Sequence, residues 1–473
     1  MKKRISLLLT MALIGSVLAG CTTDSPGETT VTTPQQVTTA SAEDETTEPG
    51  TETTADASDE TTTELETEET SEQTSETPAE TSEETTDMTT EEATEETTEE
   101  ATETETQETN EPHNPYLRNI PQPTIWTESL DDDNYNLSTI DNVRMVELIT
   151  GDGSPNMTRE RFRVGGTDLG IPVVHNDLLY LWFGDTFYGD EEGNPMAGGA
   201  WRNNVLAISE DTEFHDGLRI NDFVGFNSGD TRFASELISG RKTPGVETTV
   251  IPTGSVSANG KMYTWFMSVR EWGPPGQWDI NYGGLAVSDD AETFRKVDGF
   301  ELDPDRFGQL ATMVIGDYVY GVGIGGGRFG DAYLLRVPLD GIEDISRYEY
   351  LHTIPEAGAS DEGMYGDDPQ AAVPIFDGPV GEPSITYNAY LEEYMVTYLD
   401  EHMASIVMRV AKDPWGPWSD KLVIASGRDY PALYGGFVHE ALMADDGQTF
   451  YFILSQWEPI YNSILFEVDI TRD

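Results

Sequence analysis

The chain has 473 residues, with 88 acidic against 26 basic side chains and a formal charge of −62. A balance that negative repels phosphate backbones and anionic lipid headgroups, so nucleic acid and bare membrane surfaces are poor partners. Cys21 is the single cysteine, which excludes disulfides, thiolate catalysis and cysteine-based metal sites.

The N-terminus reads as a secretory signal. Lys2, Lys3 and Arg4 form its positive start, and Ile5–Val17 is an apolar run too short for a comfortable span. It ends in Leu18-Ala19-Gly20-Cys21, which resembles the bacterial lipobox, with Cys21 as the lipidated residue. The expected location is therefore the extracellular face of a bacterial cell membrane, touched only through that anchor. Residues 22–112 are almost wholly Thr, Glu, Ser, Ala and Pro; Thr22 to Glu111 holds 30 acidic residues and no Lys or Arg. Such a segment cannot bury enough apolar surface to offset the entropy of ordering, and its like charges stretch it. It is expected to be a disordered stalk.

From residue 113 to 473 aromatic, Gly and β-branched residues dominate, and long helical patterns are absent. This predicts an all-β domain. Five times an apolar hairpin surrounds a polar tip: at His175-Asn176-Asp177, Asn259-Gly260, Gly316-Asp317, Glu392-Glu393 and Asp445-Asp446-Gly447. A third apolar strand follows each one, and a fourth segment follows four of them, near Phe214, Phe294, Tyr348 and Leu422. Five repeats of this kind predict a five-bladed β-propeller. A β-sandwich would not explain the repeat. The last repeat lacks an outer strand, and the strand-like segment 142–151 is expected to supply it and close the ring.

The first hairpin carries the chemistry. In Gly165–Thr186, apolar runs Leu169–Val174 and Leu178–Phe183 fold about Asn176, so positions summing to about 352 face each other. Asp168 then lies beside Gly184 and Asp185, at the hairpin's open end. Two carboxylates this close repel, and one holds its proton more tightly, which is what acid/base work on a glycosidic bond requires. The same two residues could instead cap backbone amides at a strand end.

In a propeller the entry ends of the innermost strands surround one mouth. That places Glu247 and Thr253, Arg306 and Gln309, Glu382, Ser384 and Asn388, and Tyr434 and His439 around the aspartates. Loops add Trp201, Arg202 and Asn203, then Trp272, Trp278, Arg328, Trp457 and Tyr461. Carboxylates, amides and aromatic faces together suit a neutral polyhydroxylated ligand. Several of the tryptophans would also serve as packing between blades, and Arg202 and Arg328 could simply balance buried carboxylates.

Other motifs narrow the class. Gly321, Gly323 and Gly326 have GxGxxG spacing, but a strand follows them and not a helix, so a dinucleotide site is not expected. Residues 288–294 look like a shortened Asp-box turn with a structural role. There is no HExxH, Walker loop or GxSxG, and six histidines do not make a zinc site by spacing. No cofactor is implied, although the central channel leaves room for a structural calcium.

The segments VGGTDLGIPVV, LYLWFGDTF, WRNNVLAIS, GVGIGGGRFGDAYLLRVP, YLDEHMASIVMRVAKDPWGPWS and YGGFVHEA resemble the domain-of-unknown-function 4185 family over nearly all of residues 160–470. That family includes endo-D-arabinanases acting on cell-wall arabinan. The resemblance implies a five-bladed propeller with its catalytic carboxylates in the first blade, here Asp168 and Asp185. The expectation is thus a surface-anchored, monomeric glycoside hydrolase acting on a polysaccharide, with Glu382 and Glu247 as reserve acids. Trp201, Arg202, Asn203, Gln309, Arg328, Asn388, His439 and Trp457 would join Glu247 in binding substrate. The alternative is a non-catalytic carbohydrate-binding or adhesion protein on the same scaffold.

Overall fold

The computed structural model describes residues 122–126, 129–130 and 133–472, apart from 191, 357 and 362. The signal, Cys21 and the 22–112 segment lie outside the described residues. What is described is all-β, built from antiparallel four-strand arrays met in chain order. The first is Leu169–His175, Leu178–Phe183, Val205–Ser209 and Asp222–Phe223. The second is Thr249–Ala258, Lys261–Trp272, Trp278–Ser288 and Arg295–Lys296. Next come Gln309–Ile315, Tyr318–Ile324, Gly330–Pro338 and Glu349–Leu351, then Pro374–Asn388, Glu393–Asp400, Ser405–Ala411 and Leu422–Ser426.

The last array joins the two ends of the domain. Leu433–Phe437, Thr449–Gln456 and Asn462–Arg472 are completed by Leu137–Leu148, which runs antiparallel to Asn462–Arg472 from Leu137↔Arg472 to Leu148↔Ile464. The closing strand begins at Leu137 and ends at Leu148, where the sequence reading placed it at 142–151. Leu137, Ile140, Val143 and Leu148 are its buried residues. Burying each is worth about 1.5–3 kcal/mol relative to exposure, enough to hold a non-covalent closure.

Two arrays differ from the simple repeat. Pro374–Asn388 pairs with Gly330–Pro338 through its first half and with Glu393–Asp400 through its second, which fuses two arrays into one nine-stranded sheet. The outer strand expected near Phe214 forms instead at Asp222–Phe223. Asp211 accepts from the Arg219 backbone N–H at 2.9 Å and folds the intervening residues into a loop, while Phe214 packs on Tyr451 in the core.

The first strands of the arrays touch one another in sequence. Leu169–His175 abuts Thr249–Ala258, which abuts Gln309–Ile315, then Pro374–Asn388, then Leu433–Phe437, which returns to Leu169–His175. Ile171, Thr253, Ala311, Ser384 and Phe437, one from each segment of this circuit, line a narrow axial cavity of about 20 Å³ together with His439, room for little more than a water. The Gly321–Gly326 segment carries no phosphate-binding geometry. A Cβ on Gly323 would sit 2.3 Å from the Phe307 ring and one on Gly321 2.6 Å from Leu310, so close packing explains these glycines. Asp290 accepts from the backbone N–H groups of Glu292 and Thr293, the structural turn expected there.

Candidate active site

Asp168 precedes the first strand and Asp185 follows its hairpin partner. The ladder pairs Leu169 with Phe183, and the Gly184 N–H donates to the Asp168 carbonyl at 3.1 Å, so the register puts both carboxylates at the open end. Gly184 is small for a reason: a Cβ there would lie 2.4 Å from Asp168 Oδ1. The backbone beside Asp168 is distorted. Leu169 has φ 70° at a register shift, a conformation costly for a branched side chain. Ser455 and Ser463, from the last array, hold it: Ser455 Oγ accepts from Leu169 N–H at 2.7 Å, and Ser463 Oγ donates to its carbonyl at 3.1 Å. Glu382 (φ 39°) and Tyr461 (φ 41°), also at this mouth, are left-handed as well.

The two aspartates have different surroundings. The Tyr434 hydroxyl donates to Asp168 Oδ2 at 2.8 Å, while buried Oδ1 has no hydrogen-bond partner. Asp185 Oδ1 accepts twice, from Trp201 Nε1 at 2.8 Å and Thr249 Oγ1 at 2.6 Å. The Tyr461 hydroxyl donates to the Asp185 carbonyl at 3.0 Å. Both aspartates are half-buried as residues, and Oδ1 of Asp168 is closed off from water. Burial first, and then the Asp185 charge and Glu382, push Asp168 up to about 7 against the Tyr434 hydrogen bond. Burial pushes Asp185 up to about 6, opposed by Thr249, Trp201 and the Lys242 charge. The charge-stabilising contacts favour ionised Asp185, and the poorer set leaves the proton on Asp168.

Supporting groups come from every side of the mouth. Lys242 donates to the Trp201 carbonyl at 2.8 Å, stands 4.8 Å from the centre of that indole, and pairs with Glu236 at 2.6 Å. Arg328 grips Glu382 Oε1 with Nε and Nη2, each at 2.8 Å, and reaches Glu401 at 3.4 Å. Its guanidinium lies 4.7 Å from the Tyr434 ring centre and 5.4 Å from that of Trp278. Burial raises Glu382 despite the Arg328 pairing, and its Oε2 has no partner. Burial and nearby carboxylates raise Tyr434 and Tyr461 well above the ordinary phenol range, so both stay protonated donors.

The remaining expected residues divide between support and other places. Asn203 is fully buried behind Asp185 and accepts from Thr249 at 3.3 Å. Gln309 donates to the Gly325 and Gly327 carbonyls and so fixes the loop that carries Arg328. Trp457, 48% exposed, packs edge-on against Tyr461 at 5.3 Å. Four residues do not join the site. Arg202 spends its donors on the Ala234 and Arg163 carbonyls, and burial lowers it to about 10. Glu247 accepts from Ser268 and the Arg241 N–H, bracing a loop. Asn388 donates to the Gly447 carbonyl six residues beyond Glu382, about 20 Å along the strand. His439 caps Ala441 deeper in the axial cavity, and burial lowers its imidazole to about 4.

Thr249, Lys242 and Glu236 escaped the sequence reading. Alternation from Glu247 would have flagged Thr249, two residues on; Lys242 and Glu236 meet Trp201 only through tertiary packing. Among the described residues no group of three or more His, Cys, Asp or Glu is arranged to hold a metal ion.

Comparison with known proteins places this geometry. Notoamide biosynthesis cluster protein J of Aspergillus sp. (strain MF297-2) is 28% identical over 335 residues, covering 66% of this chain and 84% of the relative. A crystal structure from Bacteroides ovatus ATCC 8483, named only as an expected hydrolase, superposes with TM-score 0.50 at 14% identity over 74% of this chain and 97% of that one. A GH43_1 enzyme from Xanthomonas citri gives TM-score 0.38 at 14% identity, over 64% and 87%. The architecture is all-β, with the innermost strands of its arrays meeting in a closed circuit. The model of the domain of unknown function DUF4185 matches residues 153–467, and the chain belongs to that family.

Proposed function

We propose that this protein is a glycoside hydrolase that cleaves a furanoside-type polysaccharide, of which arabinan is the first to test. The observation that carries the reading is the Asp168–Asp185 pair: two carboxyls at one hairpin mouth, with two donors on Asp185 Oδ1 and none on Asp168 Oδ1. Asp168 would protonate the leaving oxygen. Asp185, ionised, would act as base on water or as nucleophile. Tyr434 and Tyr461 keep the aspartates in place, and Trp201 offers an aromatic face beside Asp185. Glu382, held by Arg328, sustains the negative field that keeps the proton on Asp168.

The circuit of first strands and the strand Leu137–Leu148 support a five-bladed ring around this mouth. The signal-like start and Cys21 support a lipid-anchored form on the outer cell surface, with 22–112 as the spacer. The deciding experiment incubates the wild type with arabinans, galactans and host glycans and follows released sugar. Release that is abolished by Asp168→Asn and by Asp185→Asn, both folded, supports hydrolysis. Binding without release points to the adhesion alternative, and neither binding nor release refutes both.

A further inference from the structure

The hairpin Lys261–Trp272/Trp278–Ser288 ends on a cross-strand tryptophan pair, Trp272↔Trp278, whose rings stand 5.5 Å apart at 69°. Trp278 packs inward toward Arg328, but Trp272 is 46% exposed. The turn between them is tightly held: Gly273 N–H donates to the Gln277 carbonyl and Gln277 N–H to the Pro274 carbonyl, both at 2.9 Å. The Gly276 carbonyl then accepts from the Arg328 N–H at 2.9 Å. The next residue, Phe329, is 48% exposed and so close that a Cβ on Gly276 would meet its ring at 3.0 Å. His402 follows, with its ring centre 6.4 Å from that of Phe329. Loops from three successive arrays thus bring ring faces to one stretch of rim.

A chain of side-chain contacts links that rim to the carboxylates. Trp272 touches Trp278, Trp278 faces Arg328, Arg328 faces Tyr434, and Tyr434 donates to Asp168. Large aromatic side chains half-open to water on braced loops are available to a ligand. The rim mixes aromatic faces with the hydrogen-bonding groups of Arg328, Glu401 and His402. Sugars present the matching surface, with C–H faces for the rings and hydroxyls for the polar groups. An anionic polymer is disfavoured by a chain of charge −62.

We propose that Trp272, Phe329 and His402 form a distal subsite for neutral saccharide units, so that a bound glycan extends from the aspartate pair over Arg328 toward this rim. The proposal rests on the glycan reading above and adds a direction and a set of residues to it. The test measures binding and not turnover. In an Asp185→Asn background, calorimetry compares oligosaccharides of increasing length, taken from whichever polymer the wild type cleaves or binds, with and without Trp272→Ala plus Phe329→Ala. The expected result is an affinity loss of about tenfold for long oligosaccharides, little change for the shortest, and recovery with Trp272→Phe. Melting temperatures recorded alongside separate this loss from unfolding. If the wild type handles a glycan and the folded double variant binds long oligosaccharides as well as before, this subsite is refuted while the hydrolase reading stands. If the folded double variant loses short and long ligands equally, the rim does not act as a distal subsite. If the wild type takes no glycan at all, both readings fall.

Discussion

The closing seam and the hairpin mouth are built from the same materials and behave in opposite ways. At the seam, Glu467 is buried among tyrosine, histidine and arginine; Arg144 grips it through two hydrogen bonds at 3.0 and 2.8 Å, Tyr451 donates at 3.0 Å, and His215 Nδ1 lies 2.8 Å away. Burial works against its charge, yet those donors win and hold the carboxyl below its usual range. At the mouth, Asp168 sits beside tyrosines too, but its Oδ1 has no hydrogen-bond partner and it has two acidic neighbours, and it is pushed up to about 7. A saturated carboxylate is a rivet. An under-supplied one is a proton store. The number and charge of the partners decide which, not the residue type.

The comparison breaks most visibly at the mouth. Asp168→Asn and Asp185→Asn are each expected to lower sugar release by about 10²–10⁴-fold with the fold retained by circular dichroism. A variant keeping most of its rate would remove that aspartate from the chemistry. At the seam the effect should fall on stability. Glu467→Gln leaves Arg144 without its counter-charge and should cost roughly 2–3 kcal/mol in chemical denaturation at pH 7, discounted because Arg144 is a third exposed. A lowered folded pKa means this contribution is complete above the unfolded carboxyl value and disappears as pH falls through the folded one. The gap between wild type and variant should therefore close in acid, and a gap independent of pH would contradict the rivet.

Asp168 carries the reverse sign. Its folded pKa of about 7 exceeds the unfolded value near 4, so the protonated form stabilises the fold at low pH and that stability is lost as pH rises through 7. Asp168→Asn should raise stability at pH 8 by roughly 1–2 kcal/mol and by much less at pH 4. Equal melting shifts at both values would show that Asp168 is not held protonated. The smallest effect concerns Lys242, which braces Trp201 and favours ionised Asp185. The rate should peak between the two carboxyl values of about 6 and 7. Lys242→Met should move the acidic limb upward by about half a unit to one unit, with Lys242→Arg close to wild type. An unmoved limb would confine Lys242 to structure.

Particular residues show how far the sequence could be read. The register placing Asp168 opposite Gly184 was legible because alternation and a polar tip fix a hairpin's pairing over a few residues. The closing strand was legible from a missing outer strand, although its ends were not, since three register shifts break the alternation between Leu137 and Leu148. The Phe214 segment misled because an apolar residue in a loop can be core without being strand. His439 and Asn388 were expected at the mouth because strand membership is readable while depth along the strand is not. Lys242 and Glu236 carried no motif at all.

Local pattern by itself determined the β-rich class, the hairpins, and which carboxylates share one end, because period and turn chemistry act over short distances along the chain. Only the tertiary structure decided which carboxylate keeps its proton. That depends on Tyr434, Thr249 and Arg328, which arrive from other arrays, on Trp201 from a loop of the same array, and on the burial that folding imposes. Desolvation and partner number are properties of the assembled ring, and they set the chemistry.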